Sequence, residues 1–266
     1  MRTSKVNLIV LMKYTMDVVV AILVKDKEAT LPTFFSCLLN QTFPKDKTRL
    51  YIRTNDNTDK SEDLLRNFLV EHGPKYKSIF YDDIPVSENL KNYKNHEWNV
   101  ERFRILGKIR QDSINYALEN NAHYFVIDID NFIVPSTLSD MVAVASLGVI
   151  APMLVTKTAY SNYHSTIDKN GYCGTGDEYL KILNKVIKGC IDVPVVHCTY
   201  FVANHILDKV SYNDGSSRYE YVIFSDVLRK QKIPQYIDNR KDYGRISFAT
   251  TAEEFDLDWA IYKSIF

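Results

Sequence analysis

Residues 124–132 read Tyr-Phe-Val-Ile-Asp-Ile-Asp-Asn-Phe, and the rest of the chain is understood around them. Tyr124 to Ile127 have the aromatic and β-branched bias of a buried strand. The run ends in two carboxylates, Asp128 and Asp130, one residue apart. Side chains two apart on a strand share a face, so both are expected at the strand's C-terminal edge, where open α/β sheets place their ligands. Two converging carboxylates beside apolar residues repel unless a cation or several donors offset their charge. Hard oxygen ligands suit Mg²⁺ or Mn²⁺ holding a diphosphate. An isolated Asp-x-Asp is more often a solvated turn, so the context decides.

The preceding residues give that context. Asp17 to Lys25 is almost continuously apolar, as in a parallel-sheet strand covered on both faces. Thr30-Leu31-Pro32 opens a helix carrying Phe34, Phe35, Leu38 and Leu39. Leu50 to Arg53 reads as a second strand, followed by the polar loop 54–57. Asp59 and Glu62 form an N-cap pair for a helix that stops at Gly73-Pro74. Ser78 to Tyr81 is a third strand, and a helix is expected from about Val100 to Asn120 with Phe103, Leu106, Ile114 and Ala117 on one face. Between them, the polar stretch from Ser87 to Glu101, with Tyr93, His96 and Trp98, is an ordered loop over a site or a surface excursion. Strand–helix alternation up to Asp128 describes a doubly wound half. Neither a Gly-x-Gly-x-x-Gly nor a Walker loop follows the first strand, which disfavours dinucleotide and P-loop folds.

Beyond Asp130 the pattern changes to a helix near Leu138 to Ala145, the apolar run Val149 to Leu154, and Tyr160-Ser161-Asn162. A strand-like region, Cys190 to Val202, then precedes a helix, Tyr219 to Lys230, and the stretch Asp238 to Ile246. The 266 residues show no linker or repeat, so one domain is expected. Lys plus Arg (33) balance Asp plus Glu (33), which disfavours a nucleic-acid partner. Cys37, Cys173, Cys190 and Cys198 lack metal-ligand spacing, which disfavours a zinc site. Val6 to Met12 is too short for a signal peptide or membrane span, so the default expectation is a cytoplasmic protein without a membrane span.

Taken in order, the Leu-Pro-Thr-Phe-Phe start at Leu31, Arg49 to Asp56, Arg110-Gln111, Phe125 to Phe132, Val149 to Leu154, Tyr160 to Asn162, Val193 to Val202 and Asn239 to Gly244 resemble glycosyltransferase family 25. That family holds the collagen β-galactosyltransferases. The resemblance runs from about Val18 to Ile246 and is similar to the first of the two domains of the animal enzymes and to single-domain giant-virus homologues. It implies a single α/β domain of the GT-A glycosyltransferase fold. Residues 17–130 would form the nucleotide-sugar-binding half, 131–248 the acceptor half and 249–266 a C-terminal tail. It also implies Mn²⁺ or Mg²⁺, a UDP-sugar donor (UDP-galactose or UDP-glucose), and hydroxylysine of a collagen-like protein as acceptor.

By the same resemblance, Asp128 and Asp130 would hold the metal, or one of them would act through water or the ribose. Arg110 and Arg102 would reach the diphosphate or donor sugar, and Thr54, Asn55 and Asp56 the uridine. Tyr160 and Asn162 would line the sugar pocket. Relatives often have a metal-binding His in the late motif; Lys241 and Asp242 stand there, so Asp242 is the third candidate ligand. His197 is either a neighbour of acceptor or metal or a core residue. An inverting transfer needs a general base; Glu220 is the first candidate, with Asp192 and Asp226 as competitors. Two other readings are a haloacid-dehalogenase-type phosphatase, disfavoured by Phe132 where Thr or Val is wanted, and a module that binds UDP-sugar or collagen-like chain without catalysis.

Overall fold

The computed structural model describes residues 16–85, 99–174 and 176–266; Tyr93, His96, Trp98 and the run Val6 to Met12 lie outside them. In chain order the first elements are β1 (Val18–Val24), α1 (Leu31–Leu39), β2 (Thr48–Thr54), α2 (Ser61–His72), β3 (Ser78–Asp82), α3 (Val100–Glu119) and β4 (His123–Asp128). Then follow β5 (Asn131–Ile133), α4 (Thr137–Ala143), β6 (Val149–Pro152), β7 (Tyr163–His164), α5 (Glu178–Leu183), β8 (Cys190–Asp192), β9 (Val195–Val196) and β10 (Thr199–Val202). The last are α6 (Asn204–Leu207), α7 (Glu220–Lys230), β11 (Gln235–Asp238), β12 (Gly244–Ile246) and α8 (Ala252–Tyr262).

Eight strands form one sheet in the order β3-β2-β1-β4-β10-β6-β11-β8. The first four are mutually parallel, whereas β10 runs antiparallel to both β4 and β6. Apolar runs in β1 and β4 reflect burial on both faces. Val18, Val20, Ile22, Phe125 and Ile127 join α1 and α2 through Phe34, Phe35, Leu38, Leu65 and Phe68. Val19, Ala21, Tyr124 and Val126 join the opposite layer with Ile114 and Ala117 of α3 and Phe224 and Leu228 of α7. Each fully buried Val, Ile or Phe contributes ~1.5–3 kcal/mol, so the central strands anchor both layers.

The chain steps outward from β1 to β2 and β3, then returns to place β4 on the other side of β1. This reversal opens a crevice between the C-terminal ends of β1 and β4. Because β10 is antiparallel, its beginning lies at that same edge: Thr199 is opposite Ile127. The next residue back, Cys198, is therefore carried to the level of Asp128.

Three expectations about elements change. Cys190 to Val202 is three short strands in different places, β8, β9 and β10. Pro194, which has no N–H for a ladder, separates the first two. Cys198, with φ of 63°, turns the chain between the last two. The second helix, Ser61–His72, is capped at Lys60 rather than at Asp59, whose carboxylate instead accepts from the N–H groups of Ser61 and Glu28 at 2.9 Å each. The tail after Thr250 contains α8, opened by a reciprocal cap: Thr251 Oγ1 accepts from Glu254 N–H at 3.2 Å, and the Glu254 carboxylate accepts from Thr250 N–H at 2.8 Å. Its Phe255 and Trp259 rings pack 5.3 and 5.4 Å from Phe132.

Phe132 lies on β5, immediately after the paired carboxylates, and β5 pairs only with β12 among the described residues. Gly244 permits that pairing. Its φ is 156°, and a Cβ there would stand 2.0 Å from the Phe132 carbonyl oxygen. Backbone cannot yield as a flexible side chain can. Gly244→Ala is expected to cost about 3 kcal/mol or more in urea unfolding by forcing β12 off β5; a loss under about 1 kcal/mol would show that the contact is easily relaxed.

Candidate active site at the sheet switch point

Asp128 is the last residue of β4; Ile129 and Asp130 form a turn, and β5 follows at once. Ile129 is buried while both carboxylates are partly exposed, so the inside–outside alternation survives the end of the strand. Each carboxylate meets one cation. Arg110 donates from Nη2 to Asp128 Oδ1 at 2.9 Å, and Lys27, in the loop after β1, donates from Nζ to Asp130 Oδ2 at 3.0 Å. Burial and the charge of Asp128 raise the pKa of Asp130, with Lys27 opposing them.

Arg110 lies on the sheet-facing stripe of α3, with Ser113, Ile114 and Ala117, and its side chain is only 7% exposed. Its Nε is 3.4 Å from Glu220 Oε1 in the first turn of α7. One guanidinium thus stands between two carboxylates. Burial works against its charge, but Asp128 and Glu220 outweigh that and hold it firmly protonated. Burial raises the pKa of Glu220, countered by Arg110. Gly107 on α3 lets the Tyr212 backbone approach, since a Cβ there would lie 3.0 Å from its carbonyl oxygen, whereas Glu220 Cβ, at 3.5 Å, would be in ordinary contact. Around Arg110, Tyr200 and Tyr212 share a short hydroxyl–hydroxyl hydrogen bond, and Ser113 pairs with the Tyr124 hydroxyl at 2.9 Å.

The second wall comes from the turn before β10. Burial, then the charges of Asp128 and Asp130, keep the Cys198 thiol protonated. Cys198 Sγ lies 3.0 Å from His197 Nδ1 and 4.0 Å from the hydroxyl of Tyr160, which is 38% exposed. The His197 ring packs among His164, Tyr221 and Tyr160 at 5.1, 5.3 and 5.7 Å. Burial, with help from the Arg110 charge, lowers the His197 pKa to about 3, and burial lowers that of His164 to about 4. Both imidazoles are therefore neutral at neutral pH.

The third wall is the pair of loops after β1 and β2. Asp26 and Asp56 both adopt left-handed backbone, with φ of 49° and 47°. Asn57 accepts from Asp26 N–H at 2.8 Å, and Asp26 accepts from Thr58 N–H at 2.6 Å. These bonds tie the two loops together at the crevice.

The profile of "Glycosyltransferase family 25, N-terminal domain" matches residues 15–258. The chain belongs to glycosyltransferase family 25. A "Glycosyltransferase 25 family member" of Anopheles gambiae is 32% identical over 93% of this chain and 44% of its own length. "Procollagen galactosyltransferase 2" of Homo sapiens is 28% identical over 85% of this chain and 38% of its own. The chain thus spans roughly two fifths of the length of these relatives. Among solved structures, S. aureus TarS 1–349 in complex with UDP-GlcNAc has a TM-score of 0.57 at 12% identity, over 88% of this chain and 59% of that one. GalNAc-T7 with UDP, GalNAc and Mn²⁺ also gives 0.57, at 9% identity, over 92% of this chain and 48% of that one. The fold is GT-A.

Within this family 25 chain, the expected site residues do not all converge. Asn55 and Asp56 lie on the loop at the crevice, but Thr54 is fully buried, donating to the Val24 carbonyl at 3.0 Å and accepting from Asn57 at 2.6 Å. It braces the loop and presents no surface to a base. Asn162 is likewise wholly buried: it accepts from Leu154 N–H at 2.8 Å and donates to the carbonyls of Pro152 and Thr199 at 2.9 and 3.0 Å. With its amide spent on backbone, it fastens the turn that carries Tyr160. Arg102 sits in the first turn of α3, roughly 12 Å along the helix from Arg110 at the standard rise.

Asp192 is on β8, the sheet edge four places from β4 and hence roughly 19 Å away at the usual strand spacing. It cannot share a site with Asp128. Asp226 lies roughly 9 Å along α7 from Glu220 and pairs with Arg218, Arg229 and Lys230 at 2.9, 3.4 and 2.9 Å. Those cations make it a weak base. Asp242 pairs with Lys185 at 2.9 Å, and no group of three or more His, Cys, Asp or Glu side chains is arranged to hold a metal among the described residues.

Sequence reasoning missed Lys27 and Cys198. Neither carries a local signal, since both arrive through the sheet order. The burial of Arg110 was not read from the sequence either, although its place four residues after Leu106 and four before Ile114 on the apolar stripe carried a signal for it.

A divalent cation fits what is present. Asp128 and Asp130 offer hard oxygens, and their ion pairs leave the other oxygen of each uncommitted to a cation among the described residues. One or two carboxylates with phosphates and water completing the shell is the usual arrangement for Mg²⁺.

The buried histidines set a pH dependence. Folding holds His123, His164 and His197 at about 4, about 4 and about 3, below the ordinary 6.5. The unfolded chain takes up protons near pH 6.5 that the folded chain refuses until near pH 4. The stabilisation is complete above pH 6.5 and is lost as pH falls toward 4. Urea unfolding free energy should fall between pH 7 and 4.5, and each imidazole replaced by Asn should remove roughly 2 kcal/mol of that fall. A profile that stays flat from pH 7 to 5 would contradict this reading.

Proposed function

We propose that the protein is a metal-dependent hexosyltransferase. In this reading it moves a sugar, galactose by analogy with the procollagen galactosyltransferases, from a UDP-sugar to hydroxylysine of a collagen-like protein. The observation that carries the reading is the position of Asp128 and Asp130 at the switch point of a family 25 chain with a GT-A sheet. UDP-GlcNAc in TarS and UDP with Mn²⁺ in GalNAc-T7 supply the analogy for a nucleotide-sugar donor and its cation.

The residues divide the work by position. Asn55 and Asp56, on the loop braced by Thr54, face the crevice where a uridine would sit. Asp128 and Asp130 would hold Mn²⁺ or Mg²⁺ against the diphosphate. The cation, when bound, supplies Lewis-acid stabilisation of the negative charge that builds on the leaving UDP. Lys27, ion-paired with Asp130 at 3.0 Å, adds a positive charge on the same side. Tyr160 offers an exposed aromatic face to a sugar, and the neutral imidazole of His197 behind it adds no charge that would repel an incoming amine. Transfer with inversion requires that the hydroxylysine oxygen pass its proton to a general base as it attacks the sugar's anomeric carbon, while the bond to UDP breaks and UDP leaves with its electron pair.

A second reading is favoured by one fact: the match is to an N-terminal domain, and the chain spans about two fifths of the relatives it resembles. It would then bind UDP-sugar or a collagen-like chain and leave transfer to another domain.

UDP release from a panel of UDP-sugars, with Mn²⁺ or EDTA and with or without a hydroxylysine peptide, separates the two. Peptide-stimulated, Mn²⁺-dependent release from one donor is expected, falling at least a hundredfold in Asp128→Ala and Asp130→Ala, the scale of lost transition-state stabilisation. Tight UDP binding with no release on any donor would instead establish the binding module.

A further inference from the structure

We propose that Glu220 is a positioning residue for the donor site: acting through Arg110, it sets the orientation and effective charge of Asp128. A helix in the second half of the chain would thereby control how tightly the first half holds a cation and diphosphate. The inference rests on the UDP-sugar reading above and assigns Glu220 a role other than that of acceptor base.

A guanidinium is a rigid planar fork in which the place of one partner restricts that of the other. Arg110 meets Asp128 through Nη2 at 2.9 Å and Glu220 through Nε at 3.4 Å. The Arg110 and Glu220 side chains are 7% and 8% exposed, so water does not substitute for either contact. Among the described residues Nη1 and Nε of Arg110 make no hydrogen bond, so Asp128 fixes the group through Nη2 while Glu220 acts on it as a charge 3.4 Å from Nε. Asp128, in contrast, is 28% exposed and reaches the crevice. Glu220 is therefore screened from the crevice by the group it holds, which suits a support and not a base that must touch an acceptor hydroxyl.

An Arg beside a metal-binding carboxylate neutralises it and competes with the metal. Glu220 draws on the same positive charge from the other side, so Asp128 keeps its attraction for a cation. Removing the Glu220 charge leaves Arg110 wholly opposed to Asp128 and adds one net positive charge beside the site. In a poorly screened interior, charges at this range act through several ångströms of protein. α7 packs closely enough on α3 that a Cβ at Gly107 would stand in ordinary contact with Glu220 Cβ, at 3.5 Å.

Glu220→Gln keeps the shape and an acceptor oxygen while removing the charge. The full chain would be assayed for Mn²⁺ binding by electron paramagnetic resonance and for UDP binding with and without Mn²⁺ by calorimetry, alongside thermal unfolding. The expected result is about tenfold weaker Mn²⁺ binding and Mn²⁺-dependent UDP binding, with metal-free UDP binding unchanged. Glu220→Asp, which retains the charge, should recover most of the loss. In turnover, the donor KM should rise while the shape of the pH profile stays that of the wild type. The proposal is overturned if Glu220→Gln binds Mn²⁺ and UDP as the wild type does yet loses transfer along with one limb of its pH profile, the behaviour of an acceptor base. It is equally overturned if the variant only unfolds at lower temperature, with unaltered affinity in the folded protein. Failure of the wild type to bind either UDP or Mn²⁺ would sink the donor-site reading itself, a distinct outcome from both.

Discussion

One guanidinium buried between two carboxylates organises the chemistry of this chain. Arg110 is the point where α3, β4 and α7 meet, and each contributes a charged group that would be costly to bury alone. The three are tolerated together because each has a partner. Their placement decides which carboxylate faces the crevice and which supports it from behind. Asp128 emerges at the strand's end, whereas Glu220 remains closed off in the first turn of a helix.

Around this ion group, the sheet topology does the gathering. Parallel strands β1, β2 and β4 deliver their following loops to one edge, and antiparallel β10 delivers its preceding turn to the same place. Lys27, Asn55, Asp56, Asp128, Asp130, His197 and Cys198 thus come from four separate stretches of sequence. The short pairing of β12 with β5 and the packing of α8 on Phe132 steady the turn that carries the carboxylates. Helix α8 is in this sense part of the site's foundation, although it contributes no group to it.

The neutral, buried histidines and the protonated Cys198 thiol form the less charged side of the crevice. The carboxylates and their cations form the other. The UDP-sugar donor proposed above, with a charged diphosphate and a neutral sugar, would match that division, its diphosphate toward the cations and its sugar toward Tyr160 and the imidazoles. The same division explains why Asp226 and Asp242, despite being carboxylates, belong elsewhere. Both are committed to surface cations away from the crevice.

The sequence by itself determined the doubly wound first half, since apolar runs and helical spacing register burial directly, and it placed Asp128 and Asp130 at a strand's end. It also carried the family-level motifs, whereas the burial of Arg110 came only with the packing of α3 against the sheet. Only the tertiary structure decided which candidates share a site. Thr54 and Asn162 proved to be buried braces, because a side chain's hydrogen bonds to distant backbone leave no local pattern. Asp192 was carried to the far edge of the sheet, while Lys27 and Cys198 were brought beside the carboxylates. Those outcomes depend on strand order and direction, which arise from long-range pairing that neighbouring residues do not encode.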